Sequence, residues 1–230
     1  MQSGGGQKRH YDNESKGILI EPENGKALNS LVFLHGLGDS AEGLADIFFD
    51  NPQNPVGKST RVVLLTAPTV PVTVNGGSES TSWFDIKDIN WNEDSICQVE
   101  VANNTKTISA AIEKEIEYHG RDASKVFIGG FSQGCCMSLH VGFSYPKKIG
   151  GIVGLSGLLF PFSKVDQIIP AVLIHGKADF IVPYAITELS YQRVVGKPSI
   201  EWYPISGLGH SINGTSIARF REFWAKHAHK

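Results

Sequence analysis

The 230-residue sequence lacks several features that mark whole classes of protein. Its longest apolar stretch, residues 150–162, is too short and too rich in glycine to span a bilayer. It contains no run or stripe of basic residues, and its formal net charge is −2, which argues against a nucleic-acid-binding protein. The first ten residues lack the apolar core of a signal peptide. These absences favour a cytoplasmic protein with no transmembrane segment and no nucleic-acid partner.

Cysteines and metal-binding motifs are also scarce. The three cysteines, Cys97, Cys135 and Cys136, are odd in number and two are adjacent, which is not a disulfide framework. The adjacent pair is expected to pack as small apolar residues. No His-Glu-x-x-His or Cys-x-x-Cys pair occurs, so the sequence calls for no metal, and we expect no cofactor.

The sequence does contain short apolar runs that alternate with helical patterns. Strands are predicted at residues 31–35, 61–65, 126–128, 152–155, 171–175 and 200–203, with an edge strand at 16–21. Helices are predicted at 103–119 and 216–228. This order predicts an α/β fold with a mostly parallel central sheet and helices on both faces. We expect residues 1–15 to be a flexible N-terminal tail and residues 16–230 to form a single domain.

The pentapeptide Gly-Phe-Ser-Gln-Gly at residues 130–134 is the strongest functional signal. It follows an apolar run and precedes residues 135–141, which can continue as a helix. Strand, sharp turn and helix form the context of a nucleophile elbow, in which a serine stands at the head of the helix. Glycines are needed at both ends because bulkier side chains would clash in the turn. The pattern predicts Ser132 as a nucleophile.

A serine nucleophile needs a base, and the base needs a carboxylate that orients it. In the α/β-hydrolase fold they come in the chain order Ser, Asp, His, on loops after later strands. Asp179 follows the strand at 171–175, and His210 lies between the strand at 200–203 and the last helix. We therefore predict Ser132, Asp179 and His210 as the catalytic residues of an α/β-hydrolase fold.

Other residues compete for these roles. Asp166 also follows the serine, but it leads into a strand and so lies at the wrong end of the sheet. His35 and His175 each end an apolar strand, where a histidine is more often a hydrogen-bonded structural residue than a base. His140 falls inside the helix after the elbow and is expected to pack or to lie at the surface.

Acyl transfer also needs donors for a developing oxyanion. The backbone N–H of Gln133, the residue after the nucleophile, is one predicted donor. The second is expected from the loop at residues 34–39, where glycines at 36 and 38 permit unusual backbone angles. We predict the N–H of Leu37, with a simple strand-to-helix turn as the alternative for this loop.

With these residues in place, the chain resembles the acyl-protein thioesterase and small carboxylesterase family, also called the phospholipase/carboxylesterase family of α/β-hydrolases. The matching segments run in family order over residues 17 to 226. They are Leu-His-Gly-Leu-Gly-Asp at 34–39, Ala-Pro at 67–68, Pro-Val-Thr-Val-Asn-Gly-Gly at 71–77, Ser-Trp-Phe-Asp-Ile at 82–86, Gly-Gly-Phe-Ser-Gln-Gly at 129–134, Gly-Leu-Ser-Gly at 154–157, His-Gly-x-x-Asp-x-x-Val-Pro at 175–183 and Gly-His at 209–210.

The resemblance implies the same triad and the same two oxyanion donors. It also implies hydrolysis of thioester-linked acyl chains on cytosolic proteins, and of small esters or lysophospholipids. The expected partners are S-acylated proteins or small acyl esters, with transient contact to a membrane surface and a monomeric or weakly dimeric state. Leu37, Trp83 and Phe84 are expected to line the acyl side of the cleft, with an ordinary core position as the alternative for Phe84.

The sequence departs from the family pattern in three places, of which the first changes the packing behind the elbow and the last two bear on substrate choice. Cys135 and Cys136 stand where the family usually has a small pair such as Gly-Gly. The segment at 75–81 is polar, whereas protein-depalmitoylating members tend to carry apolar residues there. A cysteine near the N-terminus is missing. A short-chain carboxylesterase with no protein substrate therefore stays open as an alternative, and a catalytically inactive binding module is a second one.

Overall fold

The computed structural model describes residues 6–12 and 17–229, and a mixed sheet forms the centre of this part of the chain. The strands are β1 (Gln7–Asp12), β2 (Gly17–Pro22), β3 (Asn29–Leu34), β4 (Thr60–Leu65), β5 (Thr69–Val72), β6 (Ser78–Thr81), β7 (Val126–Phe131), β8 (Gly151–Leu155), β9 (Ala171–Gly176) and β10 (Ile200–Ile205). The α-helices are α1 (Ala41–Phe48), α2 (Gln98–Tyr118), α3 (Gln133–Ser144), α4 (Tyr184–Tyr191) and α5 (Gly214–His227).

Eight strands form the central sheet in the order β1-β2-β4-β3-β7-β8-β9-β10. The pairs from β4 to β10 are parallel, whereas β1 pairs antiparallel with β2, and β2 pairs antiparallel with β4. Strands β5 and β6 form a separate antiparallel hairpin. The mostly parallel sheet of the sequence prediction is confirmed, and it brings the carboxyl ends of β3, β7, β8, β9 and β10 to one edge.

Helices cover both faces of the sheet because its strands are buried on both sides. Alternate residues of β3 show this: Val32 and Leu34 belong to the core on the side of α2 and α3, and Leu31 and Phe33 to the core on the side of α1 and α5. All four are completely buried. Side chains that alternate between two apolar cores explain why the strand is a continuous apolar run in the sequence.

The N-terminal part of the sheet differs from the sequence prediction. Residues 7–12, expected in a flexible tail, form β1, and its register pairs Gln7 with Pro22 and Asp12 with Gly17. Strand β2 is therefore not the edge strand that was predicted at 16–21. The polar side chains of β1 concealed it because an edge strand is held by backbone hydrogen bonds and needs no apolar run. Residues 1–5 and 13–16 lie outside the described residues, and the single catalytic domain stays a prediction.

Two helices of eight residues were not predicted. In α1 the hydroxyl of Ser40 accepts a hydrogen bond from the N–H of Gly43, which caps the first turn. Helix α4 begins directly after Pro183, at the end of the loop that carries Asp179. Among the described residues, no helix is long and apolar enough to cross a membrane.

Candidate active site

Three parallel strands place Ser132, Asp179 and His210 at the same edge of the sheet. Ser132 follows β7, Asp179 lies three residues after β9, and His210 lies five residues after β10. The carboxyl ends of parallel strands in an open α/β sheet are where such folds hold their ligands. The residues predicted from the chain order are therefore brought together by the topology of the sheet.

The elbow holds Ser132 in a strained backbone conformation. Its φ of 56° and ψ of −121° are unusual for a residue with a side chain. The N–H of Ser132 donates to the carbonyl of Leu155 in β8 at 2.9 Å, which fixes the turn to the sheet. A Cβ on Gly130 would collide with the backbone of Gly134, and one on Gly134 would collide with the carbonyl of Leu34. Both glycines are therefore required for the strand and the helix to meet.

A chain of hydrogen bonds links the three side chains. The Oγ of Ser132 lies 2.9 Å from Nε2 of His210. The Nδ1 of His210 lies 2.7 Å from Oδ2 of Asp179. Since ionised Asp179 can only accept, Nδ1 carries a proton and Nε2 is free to accept the serine proton. The geometry is that of a nucleophile, a base and an orienting carboxylate.

Asp179 is held in its ionised form. Its side chain is completely buried, and burial by itself raises the pKa of a carboxyl group. The hydrogen bonds from His210 and from the N–H of Val182 outweigh burial, so the pKa of Asp179 lies below its ordinary value. The Oδ1 atom accepts from the N–H groups of Ile181 and Val182, each at 2.9 Å. Three hydrogen bonds thus hold the two carboxylate oxygens, and the carboxylate cannot rotate away from His210.

Backbone hydrogen bonds join the loop of Asp179 to the loop of His210. The N–H of Lys177 donates to Ile205 at 2.8 Å, and the N–H of Ala178 donates to Leu208 at 2.9 Å. A Cβ on Gly176 would collide with the carbonyl of Leu208, so only glycine allows this approach. The separation between base and carboxylate is consequently set by the backbone.

A cleft of about 550 Å³ opens over Ser132 and His210. Most of its wall is apolar, from three segments that are distant in sequence: Leu37, Ile86, Ile89, Trp91, Phe180 and Ile181. Three of these side chains are largely exposed at the mouth, with 74% for Ile89, 89% for Phe180 and 63% for Ile181. A nucleophile at the base of an apolar cleft can act on an acyl group whose chain lies along the wall.

A model of the phospholipase/carboxylesterase family matches residues 16–228. The chain belongs to the phospholipase/carboxylesterase family. Acyl-protein thioesterase 1 of Schizosaccharomyces pombe is 32% identical over 218 residues, covering 90% of this chain and 93% of the relative. Acyl-protein thioesterase 1 homolog 1 of Dictyostelium discoideum is 32% identical over 219 residues, covering 92% of this chain and 96% of the relative.

Solved structures share the fold. SOBER1 of Arabidopsis thaliana superposes with a TM-score of 0.73 at 27% identity, covering 86% of this chain and 98% of the other. Acyl-protein thioesterase 2 of Zea mays superposes with a TM-score of 0.70 over 96% of this chain and 98% of its own, and its 23% identity supports the fold alone. The α/β-hydrolase fold and the phospholipase/carboxylesterase family predicted from the sequence are confirmed.

The two predicted oxyanion donors lie beside the nucleophile. Gln133 is the first residue of α3, so its N–H has no acceptor within the helix. Leu37 lies in the turn after β3, and the backbone hydrogen bonds of the described residues include none donated by its N–H. A Cβ on Gly36 would come within 3.2 Å of the Cβ of Ser132, which shows how closely this turn approaches the serine. Their role in catalysis stays a prediction.

The side chain of Gln133 has a second role that sequence reasoning missed. Its Nε2 donates to the carbonyl of Phe84 at 2.8 Å, and its Oε1 accepts from the N–H of Trp83 at 3.0 Å. The hydroxyl of Ser82 completes this buried network at 3.1 to 3.2 Å. The elbow of this phospholipase/carboxylesterase family member is thereby fastened to residues 82–84. An amide that can both donate and accept fits there. Because Gln133 lies 49 and 50 residues from Phe84 and Trp83 in the sequence, no local pattern signals the contact.

Trp83 and Phe84 do not line the cleft, contrary to the sequence prediction. They are 1% and 0% exposed, and both belong to the core on the side of α2 and α3. The indole Nε1 of Trp83 donates to the carbonyl of His35 at 2.9 Å. Their side chains pack in the core behind the elbow, because the Gln133 side chain holds their backbone against α3 by hydrogen bonds. Leu37 does line the cleft.

The two strand-end histidines are structural, as the sequence analysis expected. The Nε2 of His35 accepts from the N–H of Ala67 at 3.0 Å, so Nδ1 carries the proton and donates to the carbonyl of Gly36 at 2.6 Å. Nε2 of His175 donates to the carbonyl of Val182 at 2.9 Å. Burial lowers the pKa of both imidazoles, which favours their neutral forms. Each thus stabilises a loop of the site without competing with His210 for the serine proton.

The remaining rivals lie away from the cleft. The N–H of Asp166 donates to the carbonyl of Phe143, near the C-terminal end of α3, whereas Ser132 stands at its N-terminal end. At a rise of about 1.5 Å per residue, the helix separates them by roughly 16 Å. His140, on the same helix, is bound to the hydroxyl of Ser163 at 2.8 Å.

The adjacent cysteines are completely buried in α3. Burial raises the pKa of Cys136 to about 12 and that of Cys135 well above its ordinary value. Both are therefore thiols rather than thiolates, and they pack as the small apolar residues that the sequence predicted.

Proposed function

We propose that Ser132, His210 and Asp179 are the catalytic triad of a serine acyl hydrolase that cleaves acyl thioesters and esters, with S-acylated proteins as the principal substrates. The observation that carries the proposal is the continuous hydrogen-bond chain from Ser132 Oγ through His210 to a buried Asp179, at the base of an apolar cleft. The chain is complete, which argues against an inactive binding module.

In the acylation step His210 Nε2 takes the proton of Ser132 as the Oγ attacks the acyl carbon. The C–S or C–O bond of the substrate then breaks, and the leaving thiol or alcohol receives the proton from His210. Asp179 remains ionised and stabilises the imidazolium through Nδ1. The acyl group is left on Ser132 as an ester.

In the deacylation step a water molecule takes the place of the leaving group. His210 removes a proton from the water as its oxygen attacks the acyl-serine, and returns that proton to Ser132 as the carboxylic acid departs. In both steps the negative oxygen is stabilised by the N–H groups of Leu37 and Gln133. Donors of this kind contribute about 2.7–4 kcal/mol each to the transition state.

The preference for acylated proteins rests on the relatives and on the cleft. Curated relatives at 31–32% identity over most of the chain are named acyl-protein thioesterases. A cleft with a wide, exposed mouth at Ile89, Phe180 and Ile181 leaves room for a leaving group as large as a protein. Such proteins carry their acyl chains on the cytoplasmic side of membranes, so we propose that the enzyme acts in the cytoplasm, in transient contact with membrane surfaces. We propose a monomer or weak dimer as its oligomeric state.

A short-chain carboxylesterase is the second candidate, and Trp91 favours it. This bulky residue, 6% exposed, lines the cleft, and an indole there takes room that a long acyl chain would need. In the polar segment at 75–81, Asn75 lines the cleft and residues 76–81 are absent from its wall, so the segment bears less on the choice than the sequence analysis expected.

Replacement of Ser132 by Ala tests the triad. The variant removes only a hydroxyl, so it should fold normally but lose about 10⁵- to 10⁶-fold in kcat on p-nitrophenyl butyrate. It should also fail to react with a fluorophosphonate probe. Ser211→Ala, an exposed serine next to His210, is the matched control and should label like the parent. Labelling that persists in Ser132→Ala would show that the nucleophile is another residue.

A comparison of leaving groups and chain lengths tests the substrate. The parent enzyme is assayed on p-nitrophenyl esters from acetate to palmitate and on a peptide carrying an S-palmitoyl cysteine. Release of palmitate from the peptide supports the thioesterase proposal. Turnover restricted to acetate and butyrate esters, with an unchanged peptide, would instead establish the short-chain carboxylesterase.

A further inference from the structure

A second apolar cavity of about 500 Å³ lies next to the catalytic cleft. Its wall includes Leu158 and Leu159 from the segment after β8, and Ile186 and Leu189 from α4. Arg193 stands at its edge, but the guanidinium is already bound to the carbonyl groups of Phe160, Pro161 and Ser163. The guanidinium of Arg193 therefore already has hydrogen-bond acceptors within the chain. The remaining wall suits an apolar occupant.

Two segments run from the cleft into this cavity without a break. Pro183, the residue before α4, lines the cleft, and Ile186 and Leu189 on α4, three and six residues later, line the second cavity. Residues three apart share one face of a helix. In the 86–96 loop, Ile86 and Ile89 line the cleft, and Asn90 and Asn92 line the second cavity. The two spaces are consequently neighbours along the same pair of walls.

Trp91 belongs to the walls of both spaces. Among the residues that the structure describes, it is the one that lines both the cleft and the second cavity. It is 6% exposed and belongs to the core on the side of α2 and α3. Trp91 therefore contacts both the nucleophile's cleft and the cavity along α4.

The position that Trp91 occupies is unfavourable in two independent ways. Its φ of 54° lies in the left-handed region, which bulky residues rarely adopt. Its buried Nε1 donates to no described residue, although a buried donor ordinarily has an acceptor. A change of backbone angles at the loop tip would relieve the strain, and an indole that reaches water would satisfy its donor, so Trp91 can leave this position more easily than an ordinary core side chain could.

The base of the 86–96 loop, in contrast, is firmly held. Ile86 and Ile96 pair in an antiparallel bridge, and the N–H of Lys87 donates to Ser95 at 2.9 Å. The Oγ of Ser95 donates to Asp88 at 2.6 Å. A fixed base with a strained tip allows the indole to move while the loop keeps its place.

We propose that Trp91 is a movable partition that determines acyl-chain length: in the closed position it ends the cleft, and when it moves aside a long chain extends along α4 into the second cavity. The proposal rests on the acyl hydrolase function proposed above. It assigns the second cavity to the distal methylenes of the acyl chain and makes Trp91 a specificity-determining residue of this chain.

Kinetics on p-nitrophenyl butyrate and palmitate test the partition. In Trp91→Ala the ratio of kcat/KM for palmitate to that for butyrate should rise by about tenfold or more, because several methylenes gain a pocket. Trp91→Phe, which keeps the core filled, should give a smaller rise in the same direction. Trp202→Ala removes an indole that lines neither cavity and should keep the parent ratio.

A block in the second cavity checks the route. Leu189 lies on α4 at the cavity and is 65% exposed, so a larger side chain can be accommodated there. Leu189→Trp, added to Trp91→Ala, should remove the gain on palmitate. A ratio that does not rise in Trp91→Ala and Trp91→Phe, or a gain that survives Leu189→Trp, would overturn the proposal.

A binding measurement separates this proposal from the proposed function. In the Ser132→Ala background, calorimetry compares hexadecanoate with octanoate. Adding Trp91→Ala should tighten hexadecanoate binding more than octanoate binding. If the parent hydrolyses no ester, the proposed function fails, but the binding measurement still tests the partition. Equal changes in affinity for hexadecanoate and octanoate would refute it.

Discussion

Under the proposed function the cleft has a catalytic wall and an acyl wall, and the two are held by different forces. In the catalytic wall, Ser132, Asp179 and His210 are fixed by backbone strain, glycine contacts and hydrogen bonds of 2.7 to 2.9 Å. In the acyl wall, the side chains of Ile89 and Phe180 are largely exposed to solvent. Acyl transfer requires that the reacting atoms be positioned to within a few tenths of an ångström. An acyl chain, in contrast, has no directional groups and needs only apolar surface.

The two walls also differ in how deeply their residues are buried. Asp179 and Phe180 are adjacent in sequence, yet the first is 3% and the second 89% exposed. The turn after β9 buries the carboxylate against two backbone N–H groups and turns the aromatic ring outward. One short loop therefore serves both walls, and substitutions at these neighbouring positions should have effects of very different kind and size.

The largest effect is expected from Asp179→Asn in the catalytic wall. The amide cannot stabilise an imidazolium and favours the wrong tautomer of His210, so kcat on p-nitrophenyl butyrate should fall by about 10⁴-fold with little change in fold. Circular dichroism confirms folding, and Asp166→Asn, the same change at the rival carboxylate, should leave kcat at the parent value. A loss in Asp166→Asn as large as that in Asp179→Asn would contradict the assignment.

A smaller effect is expected from Gln133→Ala, which keeps the backbone N–H but removes the link to residues 82–84. The N–H of Trp83 loses its acceptor and the carbonyl of Phe84 loses a donor, so the free energy of unfolding should drop by about 2–3 kcal/mol. Because the elbow loosens, kcat should fall by about tenfold or more. Urea denaturation and steady-state kinetics measure both. Gln98→Ala, an exposed glutamine at the start of α2, should change neither.

The smallest effect is expected from Phe180→Ser in the acyl wall. The loss of exposed apolar surface at the mouth should raise KM for p-nitrophenyl palmitate by several-fold, with a change in unfolding free energy of no more than about 0.5 kcal/mol. Val99→Ser removes another largely exposed apolar side chain, on α2 and outside the cleft. Equal shifts in KM for both variants would show that the acyl wall is not a binding surface.

Parts of the fold and site that depend on local signals were predictable. The strands β3, β7, β8 and β9 are continuous apolar runs because they are buried on both faces. The elbow was predictable because its two glycines leave room that no other residue allows. The positions of Asp179 and His210 followed from their places after strands, since parallel strands end at one edge.

Other parts depend on contacts that no local pattern records. Strand β1 is polar and is held by its pairing with β2, so its sequence resembles a tail. Trp83 and Phe84 were placed in the cleft by sequence, but their burial follows from the contacts of their backbone with the Gln133 side chain, 49 and 50 residues away. Trp91, Phe180 and Ile181 lie on loops without any period, so their meeting over Ser132 could not be inferred.

The chemistry proposed for this protein follows from local features of its sequence. A serine between two glycines after a buried strand, with an aspartate and a histidine after later strands, suffices for a serine acyl hydrolase, because strand order and turn sterics place these residues. The residues that form the acyl wall, and the place where the cleft ends, could be identified only from the folded chain. Apolar packing is non-directional, and the same aromatic residue serves equally well in a core, at a mouth or as a partition, until the whole chain has folded around it.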